Sequence, residues 1–426
     1  MSGLIGIFAF DELWSIARFI YYGLMGLQHR GQESAGITTV KDGRFYTRVC
    51  KGLVEEAFKE DALKGLPGHI GCGGVSMDPS VSQPIVIEDR GKSLALTFSG
   101  GLLEGDLKDF GLALLRELSK SDPEQAALTV MERFKGGYSF LALTNDGHIV
   151  AGRDPMGVKP LCVGGLGFDL AVFASESSAL DVVGADLSRE VEPGEVMSVE
   201  MFSIKRASTG YSRHAYCSFE YVYYARPDSI MNGIHVYEVR RRIGLLLAKE
   251  SPVEADVVIG VPETAIPFAM AYSQATGIPV EMGFMKTGRS VRTAIKPTQF
   301  ERLVGVQLKL NPVRAAVKGK RVLLIDDSVV RGTTLRNTVY LLRKRGAKEV
   351  HVRIGSPAIV ARCPYGTAVP PEDELIGRAL KPDEIAQVIG ADSFSYLSVD
   401  GLTEAIGLPK KSLCLGCFTG EYPIQE

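Results

Sequence analysis

Apolar positions along the chain follow two rhythms. In the first half, Leu94 to Thr97, Tyr138 to Leu143 and Ala171 to Ala174 are short runs that read as strands. In the second half, Asp256-Val257-Val258-Ile259-Gly260-Val261 and Val322-Leu323-Leu324-Ile325 have the length and branching of buried parallel strands. Helical spacing alternates with them. Val236, Val239, Ile243, Leu246 and Leu247 share one face; Leu335, Val339 and Leu342 share another, which ends at Gly346. A helix-like segment spans Glu12 to Leu27. Its apolar part, from Leu13, contains Arg18 and is too short to cross a bilayer.

Length and composition narrow the class. A chain of 426 residues holds two or three domains. With 23% charged and 45% hydrophobic residues it has the balance of a soluble globular enzyme. A formal net charge of -2 implies no broad nucleic-acid footprint. Met1-Ser2-Gly3 carries no basic stretch, so no secretory signal is expected. The cysteine count of 7 is odd, which favours a reducing, cytoplasmic setting and metal or cluster ligation over disulfides.

The segment Arg321 to Thr334 carries the clearest chemistry. A buried strand runs into two adjacent carboxylates, Asp326 and Asp327, then a small polar turn with Gly332, then a helix. Backbone N–H groups in such a turn, backed by a helix N-terminus, suit a phosphate. The aspartates suit sugar hydroxyls or Mg²⁺ instead. A solvated acidic pair on an ordinary turn is the plainer alternative.

Asp326-Asp327-Ser328-Val329-Val330-Arg331-Gly332-Thr333-Thr334 resembles the phosphoribosyl pyrophosphate (PRPP) loop of type I phosphoribosyltransferases, and its wording resembles the amidophosphoribosyltransferase family. Gln28 to Ile37, Arg153 to Pro160, Ala174 to Ser177 and Glu192 to Glu195 resemble the glutaminase domain of the same family. The resemblance implies an α+β N-terminal-nucleophile domain, an αββα sandwich, followed by an α/β type I phosphoribosyltransferase domain. It places a glutaminase-like domain at 1–213, a transferase domain at 214–400 and a tail at 401–426.

Against that family the glutaminase chemistry is expected to be lost. The family's mature N-terminus is a cysteine nucleophile; here the matching residue is Ser2. The arginine that clamps the substrate carboxylate becomes Gly74, and the Asn-Gly of the oxyanion hole becomes Ser99-Gly100. A serine amidase retuned to another amide stays open, as does Cys72 as a displaced nucleophile.

In the second half, Tyr221 to Ser229 resembles the start of the transferase domain, and Pro262-Glu263-Thr264-Ala265 its pyrophosphate loop. Thr264, Asp326 and Asp327 would hold Mg²⁺, Glu263 and Thr264 would meet pyrophosphate, and Ser328 to Thr334 the 5′-phosphate. Lys286 to Gln299 corresponds to the closing loop, with Lys286 and Arg292 as its catalytic cations. A solvated basic loop is the alternative. Cys217, Cys363, Cys414 and Cys417 match the four ligands of the family's cluster-bearing branch, which implies a 4Fe–4S cluster; a zinc site and four separate buried thiols stay open. Cys50 and Cys162 read as packing residues.

The expected activity is therefore transfer of the phosphoribosyl group from PRPP to ammonia, taken free or from a separate glutaminase. A homo-oligomer is expected, with no nucleic acid and no membrane. A non-catalytic relative that binds PRPP or nucleotides and regulates an active enzyme is the other reading, and a changed amine acceptor a third.

Overall fold

The structure is a computed structural model that describes residues 2–78, 80–210, 213–286 and 310–424. Two antiparallel sheets face each other in the first half. One has seven strands in the order Asp186–Glu190, Cys162–Leu166, Leu170–Ala174, Ser2–Ala9, Ile70–Ser76, Ser34–Lys41, Arg44–Lys51. The other has six, in the order Ser203–Ser208, Glu195–Glu200, Ile149–Arg153, Gly136–Thr144, Lys92–Leu102, Ile85–Asp89.

Strand periodicity explains the layers. Along Ser2–Ala9, Leu4 and Phe8 point between the sheets, where they meet Leu141, Leu143 and Ile149. Ile5, Ile7 and Ala9 point the other way, onto Ile20 and Leu24 of the helix Ala17–Gly26. The helices Leu107–Glu117 and Pro123–Arg133 cover the second sheet through Phe110, Leu114, Val130 and Met131. The result is the αββα sandwich.

The expected helix from Glu12 is shorter in the structure. Asp11 accepts from the backbone N–H of Leu13 through Oδ1, and from that of Trp14 through its carbonyl. That local turn takes the first residues out of the helix, which begins at Ala17.

The second half is a parallel four-stranded sheet in the order Val257–Gly260, Arg321–Asp326, Glu349–Ile354, Ser393–Tyr396. The helix Val236–Glu250 lays Val236, Val239, Ile243 and Leu247 on one face of it, and Thr333–Lys344 lays Leu335, Val339 and Leu342 on the other. The helix Val399–Ile406 runs across the expected junction at residues 400 and 401 and buries Leu402, Ala405 and Ile406 with the transferase sheet.

The two halves meet closely. A Cβ on Gly101 would stand 2.7 Å from the Pro364 carbonyl, and one on Gly366 (φ +76°) 2.3 Å from the Gly100 carbonyl. Only glycine allows the loop carrying Cys363 to seat on the first domain this way. The tail is held there by pairing Tyr216–Cys217 in parallel with Leu413–Cys414.

Candidate active site

Val257–Gly260 and Arg321–Asp326 are neighbours in the sheet, so their C-terminal ends bring Glu263, Thr264, Asp326 and Asp327 to one edge. Ligands of open α/β sheets bind at such ends. Asp326 Oδ1 accepts from the Asp327 backbone N–H at 2.9 Å, and Asp327 Oδ1 accepts from the Ser328 hydroxyl at 2.6 Å. Burial, then mutual repulsion, pushes the Asp326 carboxyl well above its ordinary range. Burial likewise pushes Asp327 up to about 6, against the pull of the Ser328 hydroxyl and the Arg240 guanidinium. Two such carboxylates are poised for a cation or a diol.

The turn that follows is shaped for an anion. Gly332, at φ +75°, caps the helix Thr333–Lys344 without a side-chain hydrogen bond. A Cβ there would stand 2.8 Å from Ile376 Cδ1. Val329 is buried, the Val330 carbonyl accepts from the Ile376 N–H at 2.9 Å, and Arg331 pairs outward with Glu374. These anchors leave Ser328, Thr333 and Thr334 at the rim with the helix N-terminus behind them. Lys286 Nζ reaches Glu263 Oε1 at 3.3 Å, so the first residue of the expected closing loop stands over the Glu263–Thr264 turn. Arg292 lies outside the described residues.

Arg240 is a site residue that motif reading passed over. It is buried and donates to the carbonyls of Tyr221, Tyr223 and Ala225 at 3.0, 3.1 and 2.7 Å, behind Asp327. Its signal was a charge four residues beyond Val236, inside an apolar helix stripe.

The pocket of Ser2 is filled by the protein itself. Ser2 has the same strand parity as Leu4 and faces between the sheets. Gln83 Nε2 donates to Ser2 Oγ at 3.0 Å and to the Phe98 carbonyl at 2.9 Å, while Gln83 Oε1 accepts from the Phe98 N–H. Gln83 is 1% exposed. A Cβ on Gly74 would meet Gln83 Cβ at 3.3 Å and Thr97 Cγ2 at 3.5 Å, so an arginine there would need the space Gln83 occupies. The Ser99 hydroxyl is spent on the Ser2 carbonyl at 2.8 Å. Cys72 is fully buried, and burial pushes its thiol far above the usual range, which suits packing rather than attack.

Comparison with known proteins agrees with both halves. Residues 75–182 match the glutamine amidotransferase domain family and residues 239–356 the phosphoribosyl transferase domain family. An amidophosphoribosyltransferase from Methanocaldococcus jannaschii is 40% identical over 100% of this chain and 98% of its own length. One from Bacillus subtilis (strain 168) is 41% identical over 99% of this chain and 94% of its own. The chain belongs to the amidophosphoribosyltransferase family. Glutamine PRPP amidotransferase of B. subtilis, solved with ADP and GMP, superimposes with a TM-score of 0.88 at 39% identity, covering 99% of this chain and 97% of that one.

In this amidophosphoribosyltransferase-family chain a buried ionic network crosses the domain junction. Arg30 is fully buried and gives both terminal nitrogens to Glu220, at 3.0 and 2.8 Å. It also donates to Glu176 and, through Nε, to the Ser2 carbonyl at 3.3 Å. Glu176 accepts as well from His29, the Arg226 N–H and the Ser229 hydroxyl. Burial alone would raise the Glu176 carboxyl, but His29 and Arg30 hold it well below its ordinary range.

The four cysteines come together. Cys217, Cys363, Cys414 and Cys417 line one small space at the junction, with Lys159, Tyr365 and Tyr422. Among the described residues no three His, Cys, Asp or Glu side chains stand close enough to hold a single metal ion. Cys162 is buried and Cys50 half-buried, both apart from this space.

Proposed function

We propose that the chain transfers the phosphoribosyl group of PRPP to ammonia, giving 5-phosphoribosylamine and pyrophosphate for purine synthesis, and that its own glutaminase is lost. The observation that carries the loss is Gln83. Its carboxamide lies on the Ser2 hydroxyl, in the space of the missing carboxylate clamp. No change of Ser2 alone reopens that pocket.

The transferase chemistry is a displacement at C1 of the ribose. The backbone of Ser328 to Thr334 holds the 5′-phosphate, and the two aspartates orient the ribose hydroxyls. Lys286, Arg292 and the Glu263–Thr264 turn meet the pyrophosphate as it leaves. Thr264, Asp326 and Asp327 would hold Mg²⁺, which would supply charge neutralisation on the leaving group. Positive charge builds on the ring while ammonia attacks the opposite face. Positioning and fixed charge carry the rate, with no covalent enzyme intermediate. The four cysteines line one space and would hold a 4Fe–4S cluster, which would staple the tail to the domain junction.

The test is pyrophosphate release from PRPP and Mg²⁺ by anaerobically purified protein, with ammonium or with glutamine. Release with ammonium and none with glutamine is the expected result. Equal release with glutamine would overturn the loss of glutaminase. No release with either would overturn the transferase reading.

A further inference from the structure

Lys159 is a buried cation without a carboxylate partner. Its residue is 0% exposed, and its Nζ makes a hydrogen bond to the neutral hydroxyl of Thr367 at 3.1 Å. Among the described residues it forms no ion pair. Glu220 is the carboxylate in that neighbourhood, and both of its oxygens are taken by Arg30. A buried ammonium with a neutral partner alone is costly, so such groups are retained where a charge faces them.

What faces Lys159 is the four-cysteine space, whose wall it forms. The turn that carries it is fixed by Arg153 and Asp154. Arg153 donates to the Lys159 carbonyl at 2.8 Å and to the Gly157 carbonyl at 3.0 Å. Asp154 accepts from the N–H groups of Met156 and Val158 at 2.9 and 2.8 Å.

We propose that Lys159 is the built-in counter-charge of the cluster, a positioning residue supplied by the glutaminase-like domain. Four thiolates around an iron–sulfur core carry net negative charge. A fixed ammonium at that wall stabilises the more negative, reduced state and disfavours loss of an electron. It also links the cluster electrostatically to a domain that contributes no cysteine to it. The inference rests on the cluster reading above.

The test compares wild type, Lys159→Met and Lys159→Arg, all purified anaerobically. Iron and sulfide content is measured first, then the midpoint potential by EPR-monitored titration and the rate of bleaching in air. The expected result is full iron in the wild type. Lys159→Met then shows a more negative potential and several-fold faster bleaching, and Lys159→Arg stays near wild type. A Lys159→Met protein that cannot retain iron, beside a Lys159→Arg protein that can, also supports the charge. Lys159→Met with full iron, unchanged potential and unchanged bleaching overturns the proposal alone. Equal behaviour of the two variants overturns it too. A wild type without iron and sulfide overturns the cluster reading and this inference with it.

Discussion

Gln83 Nε2 donates to Ser2 Oγ at 3.0 Å, so a resident carboxamide sits on the hydroxyl where the family's nucleophile is expected. The same side chain pairs with both backbone groups of Phe98. Gln83 thus packs against Ser2 and Gly74, while the Ser99 hydroxyl closes on the Ser2 carbonyl.

Ser2→Cys alone is expected to leave glutamate release from glutamine at background. A thiol restores the nucleophile but neither opens the Gln83 space nor frees Ser99, and loss of one oxyanion donor alone costs about a hundredfold or more. Glutamate formed per hour in an enzyme-coupled assay checks this.

Gln83→Ala removes a buried group whose partners stay behind. The Phe98 N–H and the Ser2 hydroxyl lose their bonds inside a closed core, at about 1–3 kcal/mol for each group left unsatisfied. The urea midpoint should fall, while pyrophosphate release with ammonium stays at the wild-type rate. A raised midpoint would mean that the pocket readily rehydrates or collapses.

Glu220→Gln should be among the most destabilising single changes. Arg30 would keep Glu176 but lose the bidentate partner that ties it to the second domain. Breaking a buried pair from one side costs about 3–5 kcal/mol. Calorimetry should show a lower Tm, and a split transition if the domains lose their coupling.

The acidic pair predicts a pH dependence. Asp327 is raised from 3.8 to about 6, so in the free protein its contribution favours the folded state at low pH and is lost as pH rises through 6. On the proposed reading, binding of Mg²⁺ and PRPP needs the ionised form. Thermal stabilisation by Mg²⁺·PRPP should shrink as pH is lowered from about 7.5 to 5.5. Asp327→Asn should weaken that binding at least about tenfold, or roughly 1.4 kcal/mol, while leaving the free protein as stable or more so, since it removes a buried charge. Thermal shift with and without Mg²⁺·PRPP reads both.

Much of the architecture was legible in the residues alone. The unbroken run Val322 to Ile325 determined a buried parallel strand, and Asp326 to Thr334 determined the loop behind it, because strand, turn and helix signals there are local and agree. Tyr138 to Leu143 likewise read as a strand, and it lies within the strand Gly136–Thr144. The helix start at Ala17 was not legible, since the Asp11 side chain competes with helix over a few residues whose apolar pattern reads the same either way. Nor was Gln83: a polar residue before Pro84 carries no periodic signal, and its role arises because Gly74 leaves room and Phe98 leaves two backbone groups to satisfy. Arg30, Lys159 and Glu220 are far apart in the chain, and charged residues usually read as surface. Only the tertiary structure buries them together, because pairing at a domain junction depends on contacts that no local pattern encodes.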